Sequence, residues 1–157
     1  MTTKAIITHP DIATEEKPAN PAIIQKVGME KVHIPILLES KNKTFQIPAF
    51  FDLQVNVIDP NVKGIHMSRL YKQALESFGE TPFSVTTILE CLKKLVIGQG
   101  NITDTAYLKV SFTYAKQQQS LLSGNTGWRY YPTIYYASYD GKSFDITTEV
   151  VYTYSST

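Results

Sequence analysis

Apolar and polar positions along the chain fall into an aperiodic start, a strand-like stretch, two helical stretches and a strand-like end. Residues 1–25 show no clear period, carry Pro10, Pro18, Pro21 and the pair Glu15-Glu16, and are expected to form a mobile or peripherally docked arm. From Val32 the pattern turns to strands. "KVHIPILLES" is apolar and β-branched, "KNK" reads as a turn, and in "TFQIPAFFDLQVNVID" Phe51, Leu53, Val55 and Val57 alternate with Asp52, Gln54 and Asn56. A period of two describes a strand with one dry and one wet face. Pro35 and Pro48 suit an edge or a bulge, because proline has no N–H for a ladder.

Two helices are expected next, near residues 65–79 and 86–97. In the first, Met67, Leu70, Tyr71, Ala74, Leu75 and Phe78 recur at helical spacing and Gly79 marks the stop. In the second, Thr87 and Glu90 have capping-box spacing, Ile88, Cys91, Leu92, Leu95 and Val96 form one stripe, and "GQG" ends it. The remainder alternates again. Leu108, Val110, Phe112 and Tyr114 face one way, and "YYPTIYYASY" meets "SFDITTEVVYTYSST" across Asp140-Gly141, a short-hairpin signal. Two strands, two helices and two or three further strands predict an α+β fold, an antiparallel sheet with both helices on one face. Residues 26–157 are expected to form that single domain.

Composition narrows the class. With 15 basic and 14 acidic residues in 157, the net charge is +1, which gives no global pull toward nucleic acid or membrane. No apolar run approaches the roughly 20 residues of a membrane span. The start has no continuous apolar stretch of secretory type, so a cytoplasmic location is expected. Cys91, the single cysteine, excludes an intramolecular disulfide and a multi-cysteine zinc site within this chain. It lies on an apolar stripe, where a buried inert thiol is the reading. His9 and His33 are far apart, so no local metal spacing exists. Tyrosines crowd the end of the chain, and aromatic strands can stack bases. Residues 130–157, however, hold Lys142 against Asp140, Asp145 and Glu149, which opposes nucleic acid. A packed sheet with a subunit interface accounts for them.

Candidate chemistry is concentrated in "KGIHMSRL". His66, Arg69 and Gln73 form a polar stripe beside the apolar one, and Lys63 precedes the helix. Helix starts carry unpaired N–H groups and a dipole that favours anions, so Lys63, Ser68 and Arg69 could grip a phosphate. The alternative is structural: Ser68 or Asp59 helps the helix begin, and the cations are solvated.

The same eight residues resemble a signature of the prokaryotic type IB GTP cyclohydrolase I family. "IQKVGMEKVHIPI" is similar to that family's opening strand, "TPFSVTTILECLKKL" to its second helix and "TGWRYYPTIYYASYDGKSFDITTEVVYTYSST" to its closing hairpin. The resemblance covers about residues 24–157. It implies a ββααββ tunnelling fold (T-fold), present twice in the family's chains, whose subunits join sheets into barrels. It also implies hydrolytic opening of GTP to dihydroneopterin triphosphate and formate, feeding folate and queuosine synthesis. A divalent metal (zinc, manganese or similar) would polarise the attack, with a bound water as nucleophile.

In the family, the strand resembling "EVVYTYSST" runs into a Cys-Pro-Cys segment that supplies a metal ligand, followed by a histidine and acidic residues. The chain therefore resembles the N-terminal half, and no metal ligand or catalytic residue carries over to a position here. The resemblance leaves Lys63, His66, Ser68 and Arg69 as substrate-side or structural residues. It implies GTP as the ligand, a homo-oligomer joined through sheet edges, and a C-terminal half that completes the site. No tightly bound metal and no turnover are expected of this chain alone. A non-catalytic T-fold module that binds a purine or pterin, or that serves oligomerisation, is the alternative.

Overall fold

The computed structural model describes residues 17–41, 43–120 and 124–154. Of the arm expected over residues 1–25, residues 1–16 lie outside the described residues; residues 17–23 have no helix or strand. Seven strands and two α-helices follow among the described residues: β1 (Ile24–His33), β2 (Ile36–Ser40), β3 (Lys43–Ile47), β4 (Ala49–Val57), α1 (Met67–Phe78), α2 (Val85–Gly98), β5 (Ala106–Gln119), β6 (Thr126–Tyr139) and β7 (Phe144–Val150). A 3-10 turn spans Gly100–Ile102. Five strands form one antiparallel sheet in the order β1-β4-β5-β6-β7, and β2 and β3 form a separate hairpin.

The expected first two strands become four because each is broken at its proline. Pro35 stands between β1 and β2, and Pro48 between β3 and β4. A residue without an N–H cannot continue a ladder, so the chain leaves the main sheet at Pro35 and rejoins it at Pro48. The Ile34 N–H donates to the Ala49 carbonyl (3.2 Å) and ties the two crossing points together. The hairpin that results is held from the other side, where the Phe83 N–H donates to the Leu37 carbonyl (2.7 Å).

Strand alternation is borne out on β4 and β5. Phe51, Leu53, Val55 and Val57 are buried beneath the helices together with Leu108, Val110 and Phe112, while Asp52, Gln54 and Asn56 face the other side. From α2, Ile88, Cys91, Leu92 and Leu95 complete this core. An aromatic chain links the layers: Phe78 packs on Phe51 (ring centroids 4.9 Å) and on Phe83 (5.8 Å), and Phe83 meets Phe112 (5.5 Å) and Tyr135 (5.1 Å). Such pairs add roughly 0.5–1.5 kcal/mol each beyond the area they bury.

The helices depart from their expected details in three places. On α1 only part of the predicted stripe is covered: Leu70, Ala74 and Phe78 are buried, whereas Met67, Tyr71 and Leu75 are about two-fifths exposed. The N-cap of α2 is Ser84, whose Oγ accepts from the Thr87 N–H (3.1 Å); Thr87 is itself buried inside the first turn. Gly79 ends α1 in right-handed backbone, while past α2 it is Gly100 that takes the left-handed conformation (φ 68°).

Candidate functional site

The segment from β4 to α1 is shaped by local polar contacts. Just past β4, the Ile58 N–H donates to the Ile102 carbonyl (2.9 Å). Asp59 then folds the chain over itself, its Oδ1 accepting from the Asn61 N–H (2.9 Å), an Asx turn. Ile65, 8% exposed, anchors the following residues in the core. The helix begins at Met67 with His66 as its N-cap residue (φ −83°, ψ 86°), and no side chain caps it. The capping role considered for Ser68 or Asp59 is therefore not found.

The start of α1 is held from outside. Gln99, 4% exposed at the end of α2, closes a pair of hydrogen bonds on one residue. Its Oε1 accepts the His66 N–H (2.8 Å), and its Nε2 donates to the His66 carbonyl (3.1 Å). The Arg69 guanidinium returns the contact, with Nη1 donating to the Gly98 carbonyl (3.0 Å). A cation at a helix C-terminus meets the negative end of the dipole. The Gln73 amide lies directly on Gly98, so a Cβ there would require the Gln73 side chain to shift.

The Arg69 and Gln73 side chains face the last residues of α2, whereas His66, the non-helical N-cap residue, meets Gln99 through its backbone N–H and carbonyl. Lys63, Ser68 and Arg69 are exposed and His66 is half-buried. At the helix start, the N–H groups of Met67 and Ser68 have no intrahelical acceptor. An exposed lysine, a hydroxyl and a guanidinium thus lie within one short segment around a helix N-terminus, which suits an anion. Sequence reasoning missed Gln99. Its signal was a polar residue between two glycines at a helix end, read only as a stop.

A cleft of about 430 Å³ lies elsewhere, on the wet face of the sheet, lined by Lys26, Asp52, Gln54, Tyr107, Lys109 and Tyr136 among others. Its charges answer one another. Lys109 Nζ is 3.5 Å from Asp52 Oδ2, Lys26 sits 4.1 Å from the centroid of the Tyr107 ring, and Gln54 Nε2 donates to Glu30 Oε1 (3.2 Å). None of the predicted site residues lines it.

The described residues do not fit a metal centre. No group of three or more His, Cys, Asp or Glu side chains among them converges to hold an ion. Burial pushes the Cys91 thiol up to about 12, against the smaller pull of a hydrogen bond with Ser77 and of Lys94, so it stays protonated at neutral pH. His33 packs edge-on against Phe50 (4.4 Å).

Comparison with known proteins places these features in a family. The family model described as type I GTP cyclohydrolase FolE2 matches residues 9–157. A GTP cyclohydrolase FolE2 of Azotobacter vinelandii is 32% identical over 154 residues, covering 96% of this chain and 51% of that protein. Its counterpart in Pseudomonas syringae pv. syringae is 35% identical over 153 residues (94% and 50%), and that of Hydrogenovibrio crunogenus 29% identical over 148 residues (94% and 48%). The chain spans about half the length of the curated relatives it matches. The chain belongs to the type I GTP cyclohydrolase FolE2 family.

Proposed function

We propose that this chain is a T-fold unit that supplies the substrate-side wall of a GTP cyclohydrolase site. The reaction is the hydrolytic opening of GTP to dihydroneopterin triphosphate and formate. The observation that carries the reading is the Lys63–Arg69 segment, which combines a helix start with flanking cations in a chain of this family. Lys63 and Arg69 supply charge for the triphosphate, Ser68 a hydroxyl, and His66 a side chain at the mouth of the helix. The nucleophile-activating residues belong to a second unit, which corresponds to the other half of the relatives' length. A divalent metal supplies Lewis acidity when bound; the residues described here do not hold it, and no step is assigned to it in this chain.

Assembly through sheet edges completes the site in this reading. β1 and β7 each pair on one side only within the main sheet, and open edges invite further strands. Apolar area is available there and on the ribbon formed by the outer parts of β5 and β6: Trp128, Tyr130, Val150 and Tyr152 are each more than half exposed. No helix among the described residues is long and apolar enough to cross a membrane, and a cytoplasmic location accords with a GTP-consuming enzyme. Equilibrium dialysis against labelled GTP, with and without a separately expressed second unit, tests the proposal. Tight binding is expected only when both units are present. Equally weak binding in both cases contradicts it. A strict monomer by light scattering at high protein concentration would count against assembly through sheet edges.

A further inference from the structure

We propose that Gln99 is a positioning residue for the Lys63–Arg69 segment, fixing its geometry for the triphosphate from the far end of α2. The inference rests on the substrate reading given above and adds to it a residue that never meets the ligand. Three observations carry it. Gln99 is a buried polar side chain whose acceptor and donor are both used on the peptide groups of one residue, His66. That residue is the N-cap of α1, and no side chain caps the helix from within. The third is reciprocity: Arg69 reaches back to the carbonyl of Gly98, the residue before Gln99.

A helix start without its own cap can fray, because its first N–H groups have no intrahelical partner. Here the two bonds from Gln99 hold the N-cap residue on both sides of its α-carbon. The direction in which the first-turn N–H groups point is therefore set by α2. The partners are 33 residues apart, so the clamp also ties the site to the position of the second helix.

Replacing Gln99 with methionine keeps length and removes both bonds. Gln99→Glu keeps an acceptor for the His66 N–H and loses the donor to the carbonyl in the ionised form. Two readouts on the ¹⁵N-labelled chain are needed: hydrogen exchange of the His66 amide relative to the Val110 amide in the central sheet, and amide shifts on titration with GTP. In Gln99→Met, His66 exchange should rise at least tenfold relative to Val110, as a net hydrogen bond of about 1.4 kcal/mol implies, and in Gln99→Glu by at least as much, because the buried carboxylate is set against the His66 carbonyl oxygen. GTP should shift the Lys63–Arg69 amides of the unmodified chain, and Gln99→Met should weaken that binding at least fivefold. Equal changes at His66 and Val110 in both variants would overturn the proposal, since Gln99 would then serve global stability alone. Undiminished GTP affinity in Gln99→Met would overturn it too, and would leave the substrate reading standing. Lys63–Arg69 amides that do not respond to millimolar GTP even with the second unit present would instead remove the substrate reading, and the positioning role with it.

Discussion

Substitution of Arg69 separates a residue that meets substrate from one that only secures a helix. Its recorded hydrogen bond uses one of five guanidinium donors, on the Gly98 carbonyl at 3.0 Å, at an exposed position. Arg69→Ala removes that bond and a cation from the C-terminal end of α2, a loss of roughly 0.3–1 kcal/mol at a solvated site. Alanine's better helix propensity returns a few tenths of that. The net cost is about 0.5 kcal/mol, in line with other exposed surface changes. For a chain of this size the melting temperature should fall by about 1–2 °C.

The effect on GTP should be far larger. A charged donor taken from a phosphate oxygen costs roughly 1.5–3 kcal/mol, about ten- to a hundredfold in affinity. Arg69→Lys should fall between the two, because it keeps the charge and loses the fork. Thermal unfolding followed by circular dichroism gives the first quantity, and calorimetric titration of GTP into an enzyme containing this unit and its second half gives the other. An Arg69→Ala variant that melts 10 °C or more lower while its folded fraction binds GTP normally would refute a substrate contact at Arg69. The segment would then be only a helix start.

Three further predictions concern the scaffold. A Cβ at Gly28 would run into the Leu53 carbonyl oxygen and come within 2.7 Å of Gln54 Cα, so Gly28→Ala should cost about 1–3 kcal/mol in urea unfolding; an unchanged midpoint would show that β1 shifts freely over β4. The buried Cys91 thiol, pushed up to about 12 by burial, should ignore a disulfide reagent in the native protein and react once it unfolds. Its folded value lies above the unfolded 9.0, so its contribution is present below pH 9 and lost as pH rises toward 12. Hydrogen bonds from Asn56 and then Thr105 hold the Asp104 carboxyl below its usual 3.8, so its stabilisation is present above that value and lost as pH falls through the folded one. The stability gap between the native chain and Asp104→Asn should narrow below pH 3.8, and a constant gap would refute a role for the charge.

Much of this architecture is legible where a single element carries its own period. The alternation from Phe51 to Val57 identifies a strand and its buried face because all four apolar side chains point into one core. The Asp140-Gly141 turn is legible for a local reason as well. Gly141 takes φ 86°, and Asp140 accepts the Lys142 and Ser143 N–H groups. What is not legible depends on neighbours. Helical spacing cannot tell that Leu70 and Ala74 are covered while Met67 and Tyr71 stay open, since that depends on where the sheet and α2 lie against α1. Pro35 and Pro48 signal an interruption, and only the pairing of β2 with β3 shows that a separate hairpin fills it. The position of the candidate site is legible in "KGIHMSRL". Its attachment is not, because Gln99 and His66 are distant in sequence and a lone polar residue at a helix end has no period to reveal its partner.

Formate release shows whether the active site is shared between two units. The purified 157-residue chain, supplied with GTP and a divalent metal such as zinc or manganese, should release no formate above background, and formate should appear when a separately expressed second unit is added. Sustained turnover by the chain alone, abolished neither by repurification nor by immunodepletion of host cyclohydrolase, would contradict the account that this unit forms one wall of a shared site.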